Sequence, residues 1–179
     1  MGWTGTLKTM PTKEFLTKEF SGENDKHRWE LIDLCVKGSV AYGIFLQGDK
    51  ETQIVMGEAI VILIRHEDNQ ILFKEMGESV MPYYYGAPLK LLDKLDQFYP
   101  PVNENAKKWR EKCRFYAERN KIKVNHGDII KFAKPFNFRL FMEDTFKVVK
   151  DGNKVLFRTK DGTICKITKW KEKEFQLSN

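Results

Sequence analysis

Signatures of catalysis or metal binding are scarce in this 179-residue chain. Its three cysteines, Cys35, Cys113 and Cys165, are odd in number and include no Cys-x-x-Cys pair. Neither a disulfide framework nor a zinc knuckle is encoded, and buried thiols are expected. The three histidines, His27, His66 and His126, stand apart. His66-Glu67-Asp68 offers ligand types on one loop without the convergent geometry a metal needs. Gly-x-Gly-x-x-Gly, Walker-type and Gly-x-Ser-x-Gly patterns are all lacking, so nucleotide cradling and serine hydrolysis have no support and no cofactor is expected. The longest apolar run, Ala59 to Ile64, falls far short of the ~20 residues of a bilayer span, and no charged-then-apolar start resembles a secretion signal. No membrane association and a cytoplasmic location are the expectation.

What the chain does have is a break in its charge. Residues 1–100 carry 11 Lys+Arg against 15 Asp+Glu, whereas residues 101–179 carry 20 against 10. So strong an asymmetry between halves suits a polyanion or an acidic protein face as partner. Hydrophobic residues make up 41% and charged residues 31%, the proportions of a folding globular chain rather than a disordered one.

Periodicity divides the chain into an α+β domain over 1–122 and a small basic module over 123–179. Gly2 to Leu7 reads as a short strand or tucked-in terminus anchored by Trp3. Thr12 to Phe20 carries Phe15, Leu16 and Phe20 at helical spacing. Trp29 to Val36, Val40 to Leu46, Gln53 to Arg65 and Ile71 to Phe73 read as an antiparallel meander, with Gln53 to Arg65 as a central strand buried on both faces. Lys74 to Gly86 loses periodicity and is expected to be a loop. A helix opened by Ala87-Pro88 places Leu91, Leu92, Leu95 and Phe98 on one face, and Pro100-Pro101 ends it. Asn103 caps a second helix whose Ala106, Trp109, Cys113 and Ala117 face the core. Beyond Lys121, five short strands are expected: one entered by a turn within Gly127 to Phe132, then Asn137 to Phe141, Phe146 to Val149, Val155 to Thr159 and Thr163 to Trp170. Asp151-Gly152 and Asp161-Gly162 mark the hairpins. Short strands with frequent turns predict a small C-terminal β-barrel-like module behind an N-terminal antiparallel sheet with helices.

Two sets of site residues follow. Lys107, Arg110, Arg114, Lys121 and Lys123 lie off the apolar stripe of the second helix or just beyond it, and are candidate phosphate contacts that position without reading sequence. Trp3, Glu78, Tyr83, Tyr84 and Tyr85 form a candidate protein or ligand contact, with the tyrosines as aromatic anchors. Glu75, Glu78 and Ser79 beside those tyrosines are residue types for acid/base work, but no His or Cys nucleophile accompanies them within the segment, so a non-enzymatic role is expected. The leading expectation is binding of nucleic acid or a nucleoprotein through the basic half. The alternatives are direct binding to a host defence protein, and an enzyme or ligand-binding domain with its pocket near the Glu75 to Tyr85 loop.

Met1-Gly2-Trp3-Thr4, Glu75-Met76-Gly77-Glu78-Ser79, Ala87-Pro88, the stretch Asn103 to Arg114 with its Trp109-Arg110 pair and Cys113, and Gly127-Asp128 together give the chain a resemblance to a family of uncharacterised proteins of bacteriophages and mobile elements. The chain departs from that family in carrying Phe73-Lys74-Glu75-Met76 where a Phe-Gly pair and a Tyr-Lys-Asp-Met run are usual. The resemblance implies a small accessory protein in a bacterial host cell, acting by binding on host defence, replication or transcription. It implies no catalytic residue.

Overall fold

The computed structural model describes residues 2–138 and 141–178. It is an α+β protein whose chain divides into two compact units, Met1–Ala117 and Glu118–Asn179.

In the first unit, six antiparallel strands form one sheet: β1 (Thr4–Leu7), β2 (Gly22–Glu23), β3 (His27–Lys37), β4 (Val40–Asp49), β5 (Val55–Glu67) and β6 (Gln70–Gly77), in the order β1-β6-β5-β4-β3-β2. Strand β5 is inside the sheet and apolar on both faces, as its sequence predicts. Ile60, Ile62 and Ile64 pack with Phe15 and Leu16 of helix α1 (Thr12–Glu19). Ala59 and Val61 point the other way, to a cluster with Leu91, Leu92 and Leu95 of α2 (Leu89–Phe98) and Trp109 and Cys113 of α3 (Glu104–Lys121). Alternate residues of one strand thus feed two cores. Between β5 and β6, Asp68 and Asn69 both have positive φ (39° and 63°). This is the conformation a two-residue hairpin loop requires and that Asp and Asn tolerate.

Three expectations for this unit need correction. The segment Lys74–Gly77 is not loop but the end of β6, paired with Ile60–Leu63. The backbone of a buried central strand needs hydrogen-bond partners along its length, and that requirement outweighs the missing alternation. Trp3 is not a buried anchor: it is exposed, with the Arg65 guanidinium 4.6 Å from its ring centroid. Phe98, at the C-terminal end of α2, is exposed rather than on the buried face.

The second unit is a five-stranded antiparallel sheet of β7 (Ile129–Phe138), β8 (Phe141–Asp151), β9 (Lys154–Arg158), β10 (Ile164–Cys165) and β11 (Phe175–Ser178), in the order β10-β9-β8-β7-β11. Its inner face is aromatic: Phe132 touches Phe136, Phe146, Phe157 and Phe175 edge-on, at centroid separations of 4.9–6.0 Å. Edge-to-face geometry is the favoured one for such rings. Strand β7 shifts register between Lys131 and Phe136. Pro135, which has no N–H for the ladder, falls within that irregularity. The expected strand Asn137 to Phe141 includes Arg139 and Leu140, which lie outside the described residues. The strand expected over Thr163 to Trp170 is only Ile164–Cys165, followed by a 3-10 turn at Trp170–Glu172. Strand β11 has no counterpart among the strands that the sequence pattern predicts. It sets Phe175 opposite Phe132, so burial of an aromatic ring selects a strand that the charged Lys171–Glu174 stretch hides from pattern reading. The ladder runs from β10 to β11, and among the described residues no pairing joins those two edges.

Candidate nucleic-acid interface

Helix α3 begins as its sequence demands: the Asn103 side-chain oxygen accepts the Ala106 backbone N–H at 2.9 Å. Its apolar stripe buries Ala106, Trp109 and Cys113, but Arg110 is buried as well, at 3% exposure. The cause is Glu78, which starts a 3-10 turn directly after β6 and is fully buried. Arg110 donates from Nε to Glu78 Oε2 at 2.8 Å and from Nη2 to Oε1 at 2.5 Å. Its Nη1 donates to Asp96 Oδ1 and to the Tyr99 carbonyl, each at 2.8 Å. Arg114 extends the network with 2.7 Å bonds to Asp93 and to the second Asp96 oxygen.

Burial alone would weaken the Arg110 charge, yet the bonds to Glu78 and Asp96 outweigh it and hold the guanidinium above its ordinary pKa. Burial likewise opposes ionisation of Asp96, and the two arginines overcome it and hold that carboxyl below the usual carboxylate range. Such a forked, fully bonded arrangement fixes α2, α3 and the end of β6 in register. Nearby, Glu58 is pushed the other way, raised by burial and then by the Glu78 charge. It borders a pocket of about 210 Å³ with Phe45, Met56, Ser79 and Val102. That is smaller than the ~300 Å³ at which ligand sites begin.

The network decides which expected contacts survive. Arg110 is withdrawn, because a buried guanidinium with all its partners in place cannot reach a phosphate. Arg114 is half-buried, with its charge already balanced by Asp93 and Asp96. Lys121 pairs with Glu118 at 2.7 Å on the surface, where such a pair contributes little and exchanges easily. Lys107 and Lys123 are exposed. In the second set, Glu78 is removed as a contact residue by its burial and its bond to Arg110. Tyr83 is 88% exposed. The Tyr84 carbonyl accepts the Trp109 indole N–H at 3.2 Å. Tyr85 stacks on Tyr116 with centroids 5.3 Å apart and rings 1° from parallel, and Lys112 Nζ lies 5.2 Å from the Tyr85 centroid. Trp3 and Glu78 have Arg65 and Arg110 as separate partners, so the structure does not combine them in one site.

The excess of cations over carboxylates belongs to the second unit. Residues 118–179 carry 15 Lys+Arg against 8 Asp+Glu, leaving residues 1–117 with 16 against 17. On the sheet's outer face the register sets Lys147 opposite both Ile129 of β7 and Arg158 of β9, and Arg158 opposite Ile164 of β10. Four strands therefore contribute one row, Ile129–Lys147–Arg158–Ile164. Lys131 lies two residues along β7, opposite Thr145. All five of the named row and Lys131 side chains are exposed, with Ile129 at 37% and Ile164 at 48%. No carboxylate pairs with Lys131, Lys147 or Arg158 among the described residues. Like charges directly opposite on a sheet are destabilising, so Lys147 facing Arg158 disfavours the isolated fold locally. The β8–β9 hairpin register alone sets Lys147 against Arg158, whereas Lys131 is placed by the β7–β8 pairing.

Among the described residues no group of His, Cys, Asp and Glu is arranged to hold a metal ion, and no helix is long and apolar enough to cross a membrane. Residues 100–170, less than half of the chain, match a family model described as a domain of unknown function, DUF6927. No curated protein and no solved structure matches the chain. The matched stretch takes in α3 and β7 to β10, the part of the chain in which the cations concentrate, and it is to that domain of unknown function that the chain is similar.

Proposed function

We infer that this protein binds nucleic acid, or a nucleoprotein, through phosphate contacts from its C-terminal unit, and that it acts by binding rather than by catalysis. The observation that carries this reading is the distribution of uncompensated charge. Arg110 and Arg114 of α3 are bonded to Glu78, Asp93 and Asp96, while residues 118–179 carry 15 basic against 8 acidic residues, with Lys131, Lys147 and Arg158 exposed among them. Excess surface cations are what a phosphate backbone needs for affinity and for steering. In this reading Lys123 is an additional phosphate contact of that unit and Lys107, on the first unit, a separate one, the C-terminal sheet works as a small barrel-like module, and the setting is that of a phage or mobile-element accessory protein in the host cytoplasm. Fluorescence anisotropy with labelled DNA and RNA tests it. Binding at low salt that weakens linearly in log–log form as salt rises is expected. Absence of binding at low salt, or affinity indifferent to salt, rejects it.

A second reading, direct binding to a host defence protein, has one observation in its favour. Tyr83 is almost wholly exposed beside the stacked Tyr85–Tyr116 pair, and exposed tyrosines are typical anchors of protein interfaces. Capture of one stoichiometric protein from nuclease-treated host lysate, lost in Y83A, is its test.

A further inference from the structure

The C-terminal sheet segregates its side chains sharply. Phe132, Phe146 and Phe157 are buried on the inner face, and Phe136, Trp170 and Phe175 pack against them. The outer row Ile129–Lys147–Arg158–Ile164, with Lys131 beside it, has no aromatic member. A surface that reads single strands stacks bases on exposed rings, and among the described residues this row offers none. Its described members also include no Trp or Tyr, two of the residue types in which protein–protein interfaces concentrate their energy. What it offers is two cations held side by side by the β8–β9 ladder, a third two residues away on β7, and short aliphatic side chains at either end. These cations sit on strands rather than loops, so their spacing is fixed before any ligand arrives.

We propose that this outer face, centred on Lys147 and Arg158 with Lys131 as third contact, is a docking surface for the phosphate backbone of a nucleic-acid duplex, read by charge and not by base. The proposal rests on the nucleic-acid reading above and narrows it to one face and one form of ligand. A phosphate placed between Lys147 and Arg158 neutralises the one like-charge pair that the register forces on this sheet among the described residues. Each lysine or arginine that meets a phosphate releases condensed counterions, which gives the salt dependence a countable slope. With no base contacts, sequence should matter little, and a duplex with its higher charge density should bind at least as well as either of its strands.

The experiment is a salt titration of full-length protein against a labelled 20-base-pair DNA duplex and its separate strands, comparing wild type with K147A/R158A and with K131A/K147A/R158A. The control is K13A/K18A, which removes the same charge as the double variant from exposed positions on α1. Each phosphate contact contributes about 0.9 to the slope of log K against log salt. The double variant should lose about 1.8 from that slope and the triple variant about 2.7, whereas K13A/K18A should keep the wild-type slope. Circular dichroism verifies that the exposed substitutions leave the fold intact. Wild-type binding with an unchanged slope in K147A/R158A overturns this face while leaving the broader reading standing. Tighter binding to single strands than to the duplex also overturns it. Failure of the wild type to bind any of these nucleic acids at low salt overturns the broader reading as well, and equal binding to a poly-glutamate peptide assigns the face to an acidic protein instead.

Discussion

Replacing Arg110 by Met leaves Glu78 as a fully buried carboxylate stripped of both its guanidinium bonds, at 2.8 and 2.5 Å. Asp96 loses one bond and keeps Arg114, and the Tyr99 carbonyl loses its donor. Breaking one side of a buried ion pair costs about 3–5 kcal/mol, because the remaining charge is uncompensated. For a chain of this size that is a fall in melting temperature of roughly 6–20 °C, at about 2–4 °C per kcal/mol. The double variant E78L/R110M removes both charges and fills the space with apolar atoms, which is often close to neutral. Urea denaturation followed by tryptophan fluorescence measures E78L, R110M and the double variant, with buried Trp109 adjacent to Arg110. The double variant should be more stable than R110M by at least about 2 kcal/mol. Additive losses, or a cost below about 1 kcal/mol for R110M, would show that the pair is neither desolvated nor coupled and would refute the network as the clamp between α3 and β6.

Other consequences are smaller and independent. Glu58 has its folded-state pKa raised, chiefly by burial, so it favours the fold below its ordinary value near 4.5 and opposes it as pH rises through the raised value. E58Q should therefore stabilise the protein at pH 7 and lose that advantage below pH 4.5, and equal effects at both pH values would contradict the assignment. Burial pushes the Cys113 thiol up to about 12, while Cys35 and Cys165 are only half-buried. A disulfide reagent at pH ~8 should modify those two first and reach Cys113 only on unfolding. N103A removes the α3 cap and should cost about 1 kcal/mol by denaturant titration, with N103D retaining most of it.

Much of this fold is legible in the sequence wherever one local rule acts alone. The β5 run from Ala59 to Ile64, the Leu91, Leu92 and Leu95 stripe and the Asn103 cap all have a single physical cause, and each is found where its pattern places it. Arg110 is different. It shares a helix circumference with exposed lysines, and nothing in α3 distinguishes it from them. Only Glu78, delivered from 32 residues away by β6, turns it inward. Strand β11 is hidden for the same reason, since its selection depends on Phe132 across the sheet. The cation row occupies a middle ground. Asp151-Gly152-Asn153-Lys154 closes a two-residue hairpin with Gly152 at φ 55°, and counting pairs back from Asp151↔Lys154 sets Lys147 against Arg158 without any tertiary information. That count was available from the sequence, whereas the neutralisation of the competing arginines was not.

Amide hydrogen exchange of the full-length protein, with and without a saturating DNA duplex, tests the central claim most directly. Slowed exchange should concentrate in peptides spanning 129–131, 145–149 and 154–164, with α1 and the Tyr83–Tyr85 segment unchanged. Slowed exchange confined to α3 or to Tyr83–Tyr85, or no change anywhere under conditions of full binding, would contradict the account.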